Sequence, residues 1–172
     1  MSPRLVLHQL IAYEQRFRSW YRTLGQRAEM SAEARFFWKC MAEDEHHHIL
    51  MLEYCDRLLD LLKEPPPLSD GLLAEAEAEV ITAEAALQRI DLNIDEALQY
   101  ALKLETSVVK ELEKMWIQRF PASVDSFFQD LEPDYEVHYR RFIEAVDALS
   151  GNRTLHDQAL AVLEGYHRQQ RN

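Results

Sequence analysis

AEDEHHHIL, residues 42–50, places Glu45 and His48 three positions apart in a segment that otherwise repeats apolar residues every three or four. On an α-helix, residues three apart share a face, so both side chains can reach one metal ion. The stepping Trp38, Met41, Glu45, His48, Leu52, Cys55, Leu59 and Leu62 traces one stripe, apolar except at those two positions. This helix is expected from about Ser31, an N-cap with Glu33 in the first turn, to about Lys63, where Pro65, Pro66 and Pro67 stop it. Glu43 and His46 have the same spacing but fall off the stripe, and His46 and His47 read as surface histidines.

The same pattern recurs on either side. A first helix, about Pro3 to Ala28, carries Leu7, Leu10, Glu14, Phe17, Tyr21, Leu24 and Ala28 on one face. Residues 69–90 read as a shorter helix or helix pair, whose Glu75, Glu77 and Glu79 form a solvated face. Asn93 and Glu96 have capping-box spacing and open a third long helix to about Phe120, with the stripe Ile94, Leu98, Ala101, Glu105, Val108, Leu112 and Met115. Pro121 ends it. A fourth, from about Ala122 to Leu149 with a kink or restart at Pro133, gives Leu131, Tyr135, His138, Phe142, Ala145 and Leu149. Ser150, Gly151 and Asn152 separate it from a C-terminal helix near 154–169. Four long amphipathic helices with an extra segment after the second imply an all-α four-helix bundle. Its middle connection crosses the length of the bundle.

Each long helix thus sets an ionisable group about midway along an apolar face. An isolated buried charge costs several kcal/mol even after relaxation. Converging carboxylates also raise one another's pKa values, and a multivalent cation is the most economical compensation. Carboxylate oxygens with imidazole nitrogens suit iron or manganese, and zinc accepts the same donors. Tyr21 and Trp20 read as core residues or supports of the site. Cys40 and Cys55 read as small hydrophobes, about four turns apart on one helix and too distant for a bridge.

In these places the chain resembles the ferritin-like superfamily, particularly its rubrerythrin-type branch. There a carboxylate-bridged dinuclear site takes one Glu from each of two helices and Glu-x-x-His from each of the other two. AYEQRFRSWY (12–21) is similar to the first helix, with Glu14 in the ligand place; AEDEHHHIL to the second, with Glu45 and His48. ALQYALKLE (97–105) is similar to the third, with Glu105, and LEPDYEVHYRRF (131–142) to the fourth, with His138. Tyr135 stands where the fourth helix's ligand Glu is expected. Three arrangements remain open: Tyr135 ligates as a phenolate, Asp134 or Glu132 swings in around Pro133, or one ion binds instead of two. The resemblance implies a ferritin-like bundle with a long crossover between helices 2 and 3 and an extra C-terminal helix. It implies iron as cofactor, and oxidation of Fe(II) by O₂ or peroxide, or peroxide reduction, as activity. The alternative is a non-catalytic helical interaction protein with a degenerate metal site.

Composition narrows the rest. At 172 residues with four Gly and six Pro, the chain suits one helical domain and has too few turn formers for a sandwich or barrel. Thirty acidic against 19 basic residues, a formal charge of -11, disfavour nucleic acid and anionic lipid as partners. The longest apolar run, Ala159–Leu163, falls far short of the roughly 20 residues that span a bilayer. With no signal-peptide h-region at the N-terminus, the chain reads as cytoplasmic. No C-x-x-C is present, hence no thiolate iron site and no rubredoxin-like segment. Phe36, Phe37, Trp116, Phe127 and Phe128 exceed what one bundle face needs, and a homodimer would bury them.

Overall fold

The computed structural model describes residues 2–62, 70–120 and 133–170, and every regular element among them is helical. α1 (Pro3–Gly25) opens on Ser2, whose hydroxyl accepts from the Leu5 N–H, with Pro3 where its missing N–H costs nothing. α2 (Ala32–Arg57) is capped in the same way by Ser31 and runs into a short 3-10 turn, Leu59–Leu61. There follow α3 (Asp70–Leu87), α4 (Ile94–Glu105), α5 (Val108–Ile117), α6 (Pro133–Leu149) and α7 (Arg153–Gln170). The expected breaker Pro65–Pro67 and the start of the fourth helix, with Phe127, Phe128, Leu131 and Glu132, lie outside the described residues, as do the side chains of Asp134 and Tyr135.

Cross-helix pairs fix the directions. Arg4 meets Asp56, Glu14 meets His48, and Trp20 packs edge-on against Trp38, so α1 and α2 run antiparallel. Tyr13 bonds the Leu73 carbonyl, Arg16 clasps Glu77 and Glu84, and Trp20 Nε1 donates to the Ala83 carbonyl at 2.7 Å. α3 therefore runs parallel to α1. Tyr21 meets Glu105 and Glu14 meets Lys110, which sets α4 and α5 antiparallel to α1 and parallel to α2. Asp44 with His138, and Phe37 with Phe142, set α6 antiparallel to α2. The connection from α2 to α4 consequently spans the bundle's length, with α3 as its helical part, as the sequence implies. α7 folds back on α6 through Gly151, whose φ of 65° suits a residue without Cβ, and Asn152 accepts from the Leu155 N–H.

The stripes form the core: Leu7, Leu10, Phe17, Leu24, Trp38, Met41, Leu52, Leu98, Ala101 and Phe142 are all buried. Ala28 lies beyond the end of α1 and is exposed. Phe37 and Trp116, assigned from the sequence to a partner surface, are buried within the chain itself, whereas Phe36 is exposed. No helix among the described residues is long and apolar enough to cross a membrane.

The third long helix is the main departure. Instead of running unbroken from 94 to about 120, it ends at Glu105 and restarts at Val108. Thr106 leaves helical geometry, and its hydroxyl turns back onto the Leu102 carbonyl at 2.8 Å. Ser107, with φ −70° and ψ 163°, takes the N-cap place. The Val108 N–H donates to Glu79 Oε2 on α3, at 3.2 Å. Glu79 thus does more than face solvent: a carboxylate at a helix N-terminus supports the restart. On an unbroken helix Lys110 would point about 140° away from Glu105. After the break it is buried beside the stripe carboxylates.

The capping box at α4 is present in both directions, with Asn93 Oδ1 accepting from the Glu96 N–H and Glu96 from the Asn93 N–H. Asn93→Ala should lower stability by about 1 kcal/mol in urea denaturation, the usual worth of such a cap. It should leave the near-ultraviolet signal of the Trp20, Tyr21 and Trp38 cluster unchanged.

Candidate metal centre

Glu14, Glu45, His48, Glu105 and His138 converge from α1, α2, α4 and α6, and each is at most 4% exposed. Their ligand atoms form two groups, Glu14 with Glu45 and His48, and Glu45 with Glu105 and His138, each within 4.8 Å. Glu45 belongs to both groups. His48 Nδ1 lies 3.0 Å from Glu45 Oε2 and 3.6 Å from Glu14 Oε2. His138 Nε2 lies 3.0 Å from Glu105 Oε2.

Three side chains hold the second group in place. Tyr21 donates its hydroxyl to Glu105 Oε1 at 2.5 Å. Asp44 Oδ2 stands 3.0 Å from His138 Nδ1 and also receives Arg141. With Nδ1 held toward Asp44, Nε2 is the nitrogen facing Glu105, and it must give up its own proton for a metal to bind there. A carboxylate behind a histidine is the usual way to orient that ring for a metal. Glu43, the alternative register, is exposed, and its carboxylate turns toward Arg18. His46 is half-buried and His47 exposed, so neither joins the cluster.

Lys110 was not legible in the stripe pattern. Its ammonium lies 2.9 Å from Glu14 Oε2, 2.8 Å from Glu45 Oε2 and 2.8 Å from His48 Nδ1, an approach to the histidine that one proton fills. Glu113 Oε2 is 3.9 Å away, and the Phe17 ring lies beneath at 5.6 Å. Burial works against the charge on Lys110, but Glu14, Glu45, Glu105 and Glu113 outweigh it and hold the amine protonated.

The carboxylates divide accordingly. Burial would raise Glu14, yet Lys110 brings it down to about 2. Glu105, also buried, is held well below the ordinary range by His138 and Lys110. Glu45 goes the other way: burial and the charges of Glu14 and Glu105 lift it well above that range in spite of Lys110. Burial would lower His138, but Glu105 and Asp44 push it up to about 9.

These donors fit a metal. Glu14 Oε1 and Glu45 Oε1 are buried without a hydrogen-bond partner. A buried acceptor left unsatisfied is costly. Oxygen and imidazole donors in this number suit iron, manganese or zinc. Buried Glu and His side chains in this chain could therefore hold a metal ion. The Tyr135 side chain, expected in the remaining ligand place, lies outside the described residues.

The pKa shifts set a pH dependence for the metal-free protein. A histidine raised from about 6.5 to about 9 contributes stability that is complete below pH 6.5 and lost as pH rises through about 9. The raised Glu45 acts in the same direction, and the depressed Glu14 and Glu105 have given their full contribution by pH 6.5. The urea midpoint should fall between pH 6.5 and 9, and His138→Gln should flatten that fall.

No protein-family model matches the sequence, and comparison with curated proteins and with solved structures finds no match to either.

Proposed function

We propose that this chain is a ferritin-like, rubrerythrin-type helical bundle. It binds a transition metal, iron foremost, in the buried Glu and His cluster centred on Glu45, and reacts with O₂ or peroxide. The observation that carries the reading is Glu45: one fully buried carboxyl that belongs to both groups of converging Glu and His donors. The long connection that makes α2 parallel to α4 and α5 supports the same reading, because it is the topology of a bundle with one crossover.

Bound iron would supply the electrons that reduce O₂ or peroxide. The chain's own residues provide position and a dry pocket. Glu105 and His138 present donors from adjoining helices, and Tyr21 and Asp44 hold those donors in orientation through bonds of 2.5 and 3.0 Å. Phe17, Trp38, Met41 and Phe142, all buried in the same core, keep bulk water away.

A second reading, a helical interaction protein whose metal site is degenerate, draws on Lys110. Its ammonium neutralises part of the cluster without any metal. On that reading the chain stays folded under chelation and shows no turnover.

The two separate on metal uptake and peroxide consumption after anaerobic loading with Fe(II). The wild type should retain iron and consume peroxide. Glu45→Ala combined with His48→Ala should lose both, with the helical signal retained. Undiminished iron uptake in the double variant would contradict the site assignment.

A further inference from the structure

Two donor groups share Glu45, but they do not stand equally open. One atom from each residue of the first group, Glu14 Oε2, Glu45 Oε2 and His48 Nδ1, lies 2.8–2.9 Å from the Lys110 ammonium. An ammonium has three N–H bonds and no acceptor, and it donates to both carboxylates. A metal held through these atoms would need them at about 2.0–2.2 Å. A divalent ion and an ammonium cannot share them.

Nor is the ammonium free to withdraw. The Lys110 side chain is 3% exposed and Phe17 packs against its head. Its backbone is anchored on both sides. Val109, Leu112 and Trp116 of α5 are buried in the core, and the start of α5 is tied to α3 by the Glu79 contact with Val108. With the backbone of α5 held in this way, the Lys110 side chain projects into the core, and withdrawing the ammonium would break both of its short carboxylate contacts. The second group is different: the ion pairs of Lys110 go to Glu14, Glu45 and Glu113 and not to Glu105, whose Oε2 lies 3.0 Å from His138 Nε2.

We propose that Lys110 is a built-in cation occupying the Glu14–Glu45–His48 pocket, and that this chain takes a single metal ion, at Glu45, Glu105 and His138. The inference rests on the metal-binding reading above and sharpens it: one half of the paired site is filled by an ammonium from the chain itself. The break between α4 and α5 is the structural device that delivers the ammonium there.

The test is iron per chain, by mass spectrometry after anaerobic Fe(II) loading and desalting, in the wild type and three variants. The wild type should hold about one ion. Glu105→Gln should lose it, Glu14→Gln should keep it, and Lys110→Met should raise the count toward two. If Lys110→Met does not fold, the two carboxylate variants still decide, because they report which pocket is filled. Two ions in the wild type, or one ion lost in Glu14→Gln and kept in Glu105→Gln, would overturn the role of Lys110 while leaving metal binding intact. No iron in the wild type or in Lys110→Met would overturn the metal reading itself.

Discussion

Four carboxylates, those of Glu14, Glu45, Glu105 and Glu113, stand in the core of this bundle at no more than 3% exposure, and their mutual repulsion must be compensated by positive charge. In a low-dielectric interior such repulsion is strong, and desolvation adds to it. The Lys110 ammonium and the His138 imidazolium supply part of the compensation. Burial and the charges of Glu14 and Glu105 lift Glu45 above the ordinary range in spite of Lys110, a direct sign of that crowding. A divalent ion would offset the excess negative charge and give the carboxylate oxygens a partner.

The fold serves this electrostatic arrangement. Four helical columns each bring between one and three polar side chains into the core, with Trp20, Tyr21 and Trp38 packed on one another. Removing water around the cluster strengthens every interaction within it, favourable or not. The crossover helix α3 contributes at a distance, because its Glu79 supports the restart at Val108 that turns Lys110 inward. Arg16, clasped between Glu77 and Glu84, holds α3 against α1 while that is done.

Much of this was legible in the sequence, for a physical reason. A stripe of period three to four is enforced by burial, so an ionisable residue on the stripe is committed to the core. Glu14, Glu45, His48, Glu105 and His138 all obey that rule and meet where the stripes cross. The cap at Asn93 was equally local and equally readable. Lys110 and Glu113 were not, because reading them requires the phase of the helix after Thr106 and Ser107. That phase is set by Glu79, about thirty residues away in sequence. The burial of Phe37 and Trp116 was missed for a related reason: what covers them comes from other helices, as when Phe142 of α6 meets the Phe37 ring at 6.0 Å. Asp44 was hidden beside the stripe of α2, its role visible only once α6 brings His138 and Arg141 to it.

Whether the buried cluster around Glu45 is a metal centre is tested most directly by anomalous X-ray scattering at the iron edge from crystals loaded anaerobically with Fe(II). A strong anomalous peak among Glu45, Glu105 and His138 is expected, with the Glu45 carboxylate turned toward it. A cluster with no peak, its carboxylates bridged only by Lys110 and the two histidines, would contradict the metal reading.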